Sequence, residues 1–301
     1  MLRPFLSVLI VIGLTVQAFA QSQPSFISDS LDTYIKRGMA DWQIPGLAIA
    51  IVKDGKVIVS KGYGVREVGR PEPVDENTLF FIASNTKLFT GTAIARLEHD
   101  KKLSLNDHVT KYLPDFKLYD PAASQLVTVR DLLCHRLGTK TFQGDFSFWN
   151  SNLSRAQIIA KMRLLKPEGQ FRQDYGYCNS AFVTAGEIIP RVTGQSWEQY
   201  VETTILKPLG MNNTYMLTSG AENRANMARP YTTNYGPLQR LTYDYIDNLA
   251  PAGSMVSCVK DLSNWLMMQL DSGRVNNTQL IPWSVLQKTR DGNTIVNTRK
   301  S

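Results

Sequence analysis

Ser84-Asn85-Thr86-Lys87 places a hydroxyl and an amine three residues apart, on one side of any helix that starts there. Such a pair can touch. Serine attacks a carbonyl carbon efficiently only when a base takes its proton, and a lysine kept from water can be that base. At a helix N-terminus the unpaired N–H groups favour developing negative charge, so the Ser84 amide could also help hold an oxyanion. Tyr177-Cys178-Asn179 is the second candidate. A phenol can accept and return a proton, and an amide can donate to a substrate carbonyl while fixing Lys87. Taken as bare spacings, both motifs have ordinary readings as well: Ser84 as a helix cap, Lys87 as a first-turn cation in solvent, Tyr177 as a loop ring with its hydroxyl in water. The apolar flanks Phe80-Phe81-Ile82 and Leu88-Phe89 argue against a freely solvated Lys87. Tyr175 is a rival phenol, and the Tyr-x-Asn spacing selects Tyr177.

The elements that must position these residues are legible from pattern. Ser28 can cap a helix on Leu31, Tyr34, Ile35 and Met39, which Pro45-Gly46 follows. Two β-branched runs, 47–52 and 57–59, flank Asp54-Gly55 and predict a two-stranded antiparallel ribbon, closed near Lys61-Gly62-Tyr63-Gly64. Leu88, Phe89, Ala93, Ile94 and Leu97 predict a buried helix over 84–99. Further helices are expected after Thr128, after Ser154 (with Gln157 a capping-box pattern) and after Ser196, with a helix-like run at Ala181, Phe182, Ala185, Ile188 and Ile189. Ser257 can cap a last one through Leu262, Trp265, Leu266 and Leu270, ended by Gly273. Gly138-Thr139 reads as a tight turn, and His135 as packing rather than chemistry.

Composition narrows the class. The 301 residues are 43% apolar and 20% charged, a globular balance in which no stretch after the N-terminus reaches the ~18 apolar residues of a membrane helix. The net charge of +7 is scattered and forms no basic patch with interleaved aromatics, so no nucleic-acid partner is expected. The first twenty residues carry Arg3 as their one charge, then an apolar stretch, then Ala18-Phe19-Ala20. This predicts a signal peptide over 1–20, cleaved before Gln21, a secreted or periplasmic product and no stable membrane insertion afterwards. Cys134, Cys178 and Cys258 lack metal or disulfide spacing, so no metal and no cofactor are expected.

Six collinear segments turn these weak signals into a specific resemblance: IPGLAIAIVKDGKVIVSKGYG, FFIASNTKLFTGTAIARLEHDKKLSLND, VTVRDLLCHRLGT, PEGQFRQDYGYCNSAF, LKPLGMNNT and PAGSMVSCVKDLSNWL. The sequence resembles the serine β-lactamase-related superfamily, which includes class C β-lactamases, penicillin-binding proteins, D-aminopeptidases and esterases. The resemblance implies an α/β (α+β) β-lactamase/transpeptidase-like fold: an antiparallel sheet with flanking helices plus a mostly helical domain, over residues 21–301. It further implies Ser84 as acylating nucleophile, Lys87 as its base partner, Tyr177 as proton shuttle and Asn179 as ligand of the substrate amide. The implied activity is cleavage of an amide or ester (a β-lactam, a D-amino-acid peptide or an ester) through a covalent acyl-enzyme. The substrate would be a small molecule or a peptide, cell-wall-derived ones included. The alternative is a non-catalytic or truncated member that binds a peptide, a glycan or a partner.

Members of this superfamily normally carry a third motif, Lys-Thr-Gly or His-x-Gly, on a downstream strand. Lys288-Thr289-Arg290 lacks the glycine and sits in a stretch that reads as helix. The C-terminal strands are therefore expected to be missing, leaving the ribbon's core face exposed and one oxyanion donor absent, a loss on the order of 10²–10³ in rate.

Overall fold

Asp54 and Gly55 both adopt positive φ, 50° and 71°, the turn geometry that matches the right-handed twist of paired strands. They join strand β1 (Gly46–Lys53) to β2 (Lys56–Gly64) in antiparallel register. The computed structural model describes residues 24–149 and 151–296, and the expected signal peptide lies outside them. Helix α1 (Leu31–Asp41) lays Leu31 and Ile35 against Leu47, Ile49, Ile51, Val59 and Tyr63. Alternation turns Ala48 and Ala50 to the ribbon's other face. Ser28 does not cap α1, because a preceding π-turn, Phe26–Ser30, already runs into the helix.

A two-residue strand β3 (Phe80–Phe81) leads into a 3-10 turn, Ala83–Asn85, and then helix α2 (Thr86–His99). Around α2 stand α3 (Pro121–Leu126), α4 (Val129–Leu133), α5 (Arg155–Lys161), α6 (Asn179–Thr193) and α7 (Trp197–Val201). A short ribbon, β4 (Tyr231–Thr232) with β5 (Gln239–Arg240), precedes α8 (Ala250–Gly253) and β6 (Val256–Ser257). Helix α9 (Val259–Leu270), the ribbon β7 (Arg274–Val275) with β8 (Thr278–Gln279), and α10 (Trp283–Lys288) complete the described chain. The fold is β-lactamase/transpeptidase-like, with helices and small antiparallel ribbons. Helix α9 contacts both β1 and β2, so the ribbon expected to be bare on one face has a helix against each.

The capping box at Ser154 forms as its spacing predicts, and Thr128 and Ser196 make two more, with Asp131 and Gln199. Ser257 is no cap. It pairs with Phe80 in the β3–β6 ladder, and Cys258 occupies the cap position. Helix α2 is buried nearly all round, with Phe89, Ala93 and Ile94 at 0% exposure, whereas Leu88 faces outward. Its partners are α6, α8 and α10. A fully buried Phe or Ile contributes about 1.5–3 kcal/mol. Gly186 on α6 lets Pro251 of α8 approach: a Cβ there would lie 2.3 Å from the proline ring. The α8–β6 segment is then stitched to α2 by Thr90 Oγ1 donating to Pro251 O (2.7 Å) and Met255 N donating to Thr86 Oγ1 (3.1 Å).

Asp131 is fully buried and takes Arg136 Nε at 2.6 Å and Arg172 Nη2 at 2.8 Å, besides the Thr128 N–H. These charge-assisted bonds hold its carboxyl below the ordinary aspartate range, against the opposing effect of burial. They fasten the loop that leads to Tyr177 onto α4. Replacing Asp131 with alanine leaves two arginines facing a void, and chemical denaturation should show a loss of about 3–5 kcal/mol. A loss under ~1 kcal/mol, the scale of an exposed pair, would contradict this account.

Candidate active site

Ala83 has φ of 45°, a conformation rare for a residue with a Cβ and one that concentrates at functional sites. The kink it makes starts the 3-10 turn that carries Ser84, which is solvent-exposed. Ser84 is therefore not the helix cap that its type suggests. Asn85 holds that position, with no side-chain capping bond.

One turn on, Lys87 is only 9% exposed. Its Nζ donates to Ser84 Oγ at 3.1 Å, to Asn179 Oδ1 at 2.7 Å and to the Ala252 carbonyl at 2.8 Å. The Tyr177 and Phe182 rings cover it, with centroids 4.7 and 5.4 Å from Nζ. Burial pushes its pKa from the usual 10.5 to about 7, against the pull of the Asp145 carboxylate toward the charged form. The three acceptors match the three N–H bonds of an ammonium. When the proton leaves, two N–H bonds and a lone pair remain. Asn179 Oδ1 and Ala252 O can only accept, so the lone pair is left facing the Ser84 hydroxyl.

Tyr177 enters from the loop before α6. Gly176 lies so close to Thr139 that a Cβ there would fall 1.6 Å from its carbonyl oxygen, which makes a side chain at this position impossible. Burial, the largest influence, raises the pKa of Tyr177 so that the phenol stays protonated at neutral pH, against the lowering effect of the nearby Ser84 hydroxyl. His135 stacks under the ring at 4.3 Å and accepts the Cys178 N–H at Nδ1, 3.0 Å. That bond assigns the proton of the neutral ring to Nε2. Burial, helped by Lys87, lowers the His135 pKa to about 4, so the imidazole stays neutral and serves as a prop. Tyr175 meets His135 edge-on.

Asn179, the first residue of α6, is buried, and its Nδ2 donates to Asp145 Oδ2 at 2.9 Å. The structure thus brings Ser84, Lys87, Tyr177 and Asn179 into one cluster. It adds two groups that the sequence reading did not single out, the Ala252 carbonyl and Asp145. The SMVS stretch gave no sign that a carbonyl just before it would serve a side chain 165 residues away. Phe142, at φ 63° and largely exposed, sets its ring edge-on to Tyr177 at the rim. Lys288 is the last residue of α10 and Thr289 its cap, so this triplet lies on a helix. With Arg290 it lines an apolar cavity of about 540 Å³ that reaches Lys87 but not Ser84 or Tyr177. Among the described residues no group of His, Cys, Asp and Glu is placed to hold a metal.

Comparison with known proteins bears on the family and the fold. The family described as "Beta-lactamase" matches residues 31–297. Protein flp of Staphylococcus aureus (strain NCTC 8325 / PS 47) is 31% identical over 247 residues, 80% of this chain and 48% of the relative. The unguisins hydrolase ungD of Aspergillus violaceofuscus is 28% identical over 269 residues, covering 81% of this chain and 46% of that protein. This chain spans about half the length of the curated relatives it matches. Among solved structures, the octameric penicillin-binding protein homologue from Pyrococcus abyssi superposes with a TM-score of 0.75 at 29% identity, over 85% of this chain and 58% of that one. FmtA from Staphylococcus aureus, at 24% identity and a TM-score of 0.66 over 80% of this chain and 66% of that one, shares the fold.

Proposed function

The chain belongs to the Beta-lactamase family, and on that premise we propose that it is a serine hydrolase cleaving an amide or ester through an acyl-enzyme on Ser84. The observation that carries this reading is the Lys87 amine, buried, depressed to about 7 and bonded to the Ser84 hydroxyl. In the forward step Lys87 takes the Ser84 proton as Oγ bonds to the carbonyl carbon. The tetrahedral adduct collapses as Tyr177 gives its proton to the departing amine or alcohol and recovers one from Lys87. Water, deprotonated by the same groups, then attacks the ester, releases the acid and restores Ser84. Asn179 holds Lys87 through its oxygen, and its second amide hydrogen is the one suited to a substrate carbonyl.

The substrate is a small molecule or a peptide, cell-wall-derived amides included, and the enzyme is secreted or periplasmic. The N-terminal charge, apolar stretch and Ala-x-Ala pattern support that location, and the exposed rim around Ser84 suits a substrate met in solvent. The relative named a hydrolase is consistent with hydrolytic chemistry.

Intact mass tests the reading. Incubation with a penicillin, and separately with a fluorophosphonate, should add one acyl or phosphonyl group to the protein and none to Ser84→Ala. A penicillin adduct assigns a β-lactam-accepting cleft, and a fluorophosphonate adduct alone assigns an esterase-like site. No adduct on folded protein would overturn the acyl-enzyme and favour a binding role.

A further inference from the structure

Asp145 has no part in the sequence motifs, yet its carboxylate is bonded to Asn179 of the site. Gly144, at φ 91°, starts the 3-10 turn Asp145–Ser147 and directs the carboxylate inward. Its Oδ2 accepts from Asn179 Nδ2 at 2.9 Å, and the other face of that amide, Oδ1, accepts from Lys87 at 2.7 Å. Its Oδ1 is buried with no hydrogen-bond partner among the described residues. A carboxylate oxygen left so is costly.

A primary amide has nearly the same shape either way round. Turned over, Asn179 would set its NH₂ against the Lys87 ammonium, donor against donor. An ionised carboxylate only accepts, so Asp145 admits one orientation. Its charge also reaches Lys87. The other titratable groups facing Lys87 are Tyr177 and Cys178, which burial keeps protonated, and His135, which burial keeps neutral. Asp145 is the remaining source of negative charge, its pKa raised by burial despite the opposing effect of Asn179 and Lys87.

We propose that Asp145 is a positioning residue of this site, one that locks the Asn179 amide with its oxygen toward Lys87 and sets the protonation of that lysine by its charge. Only its catalytic consequence rests on the hydrolase reading. The charge argument has a definite sign: an anion near Lys87 stabilises the ammonium, so removing it lowers the lysine pKa and widens the range in which Lys87 is a free base.

The test follows Lys87 directly, by NMR titration of ¹³C-lysine in the full chain, with the resonance assigned by its absence from Lys87→Met. In the near-isosteric Asp145→Asn the midpoint should fall by about one pH unit, and the acid limb of Ser84 acylation should move down with it. The new amide can turn either its oxygen or its NH₂ to Asn179, so the lock loosens and the plateau should fall by roughly a few-fold. Asp145→Ala loses the acceptor as well, and its plateau should drop roughly tenfold to a hundredfold. A midpoint unmoved in Asp145→Asn overturns the proposal, as does an equal plateau in the two variants. A moved midpoint in a protein whose Ser84 takes no acyl group upholds the charge role and overturns the hydrolase reading instead.

Discussion

Replacing Lys87 with methionine should slow acylation of Ser84 by roughly 10²–10⁴ and remove the pH dependence centred near 7. Methionine matches the length of the lysine stem, so the apolar contacts with the Tyr177 and Phe182 rings persist and the base alone is lost. In the parent protein only neutral Lys87 can take the serine proton. Its pKa of about 7 therefore sets the acid limb: the rate falls below pH 7 and levels above it. Stopped-flow acylation across pH 5–9 reads both effects, and a limb that survives in Lys87→Met would move the base elsewhere. The same group leaves a mark on stability. An unfolded chain holds the lysine proton up to about 10.5, whereas the folded one releases it from about 7. Between those values the unfolded state binds more protons, so stability rises with pH across that window. The parent should gain stability relative to Lys87→Met from pH 7 to 10, a trend denaturant midpoints can follow.

Tyr177→Phe should cost roughly 10²-fold or more in acylation, while Tyr175→Phe stays within a few-fold of the parent. Phenylalanine keeps the stack on His135 and the ring over Lys87, so the loss reports the hydroxyl alone. The Tyr177 ring covers Lys87 and its phenol feels the Ser84 hydroxyl, whereas Tyr175 borders His135 edge-on. The inverse result, a slow Tyr175→Phe beside a normal Tyr177→Phe, would reverse the assignment of the proton shuttle. Running both variants with a good and a poor leaving group separates the roles further. A donor to the departing atom matters most where that atom leaves poorly.

Much of the fold was readable because its signals are local. Asp54-Gly55 between β-branched runs announces a hairpin through backbone angles alone, and the Ser154 box is decided within four residues. The failures share a cause. Ser28, Ser84 and Ser257 all look like helix caps, and none is one, because a neighbouring element claims the position: a π-turn, a kinked 3-10 turn and a ladder with Phe80. Capping propensity describes what a serine can do alone, and packing decides whether it is asked to. Leu88 fits the apolar face of α2 by period yet lies exposed beside the cavity that α10 lines.

By itself the sequence determined the pairing of Ser84 with Lys87, since three residues on a helix is a fixed geometry, and it determined the order of segments that marks the family. It could not decide that Lys87 is a base. That depends on burial beneath rings from the Tyr177 loop and α6, and on a carbonyl from α8, contacts spanning 90 to 165 residues of chain. Nor could it reveal Asp145, whose place beside Asn179 is set by a turn 34 residues earlier. A pKa is the difference in solvation and charge between two states of one group, and both are properties of the surroundings, which exist only once the chain has folded.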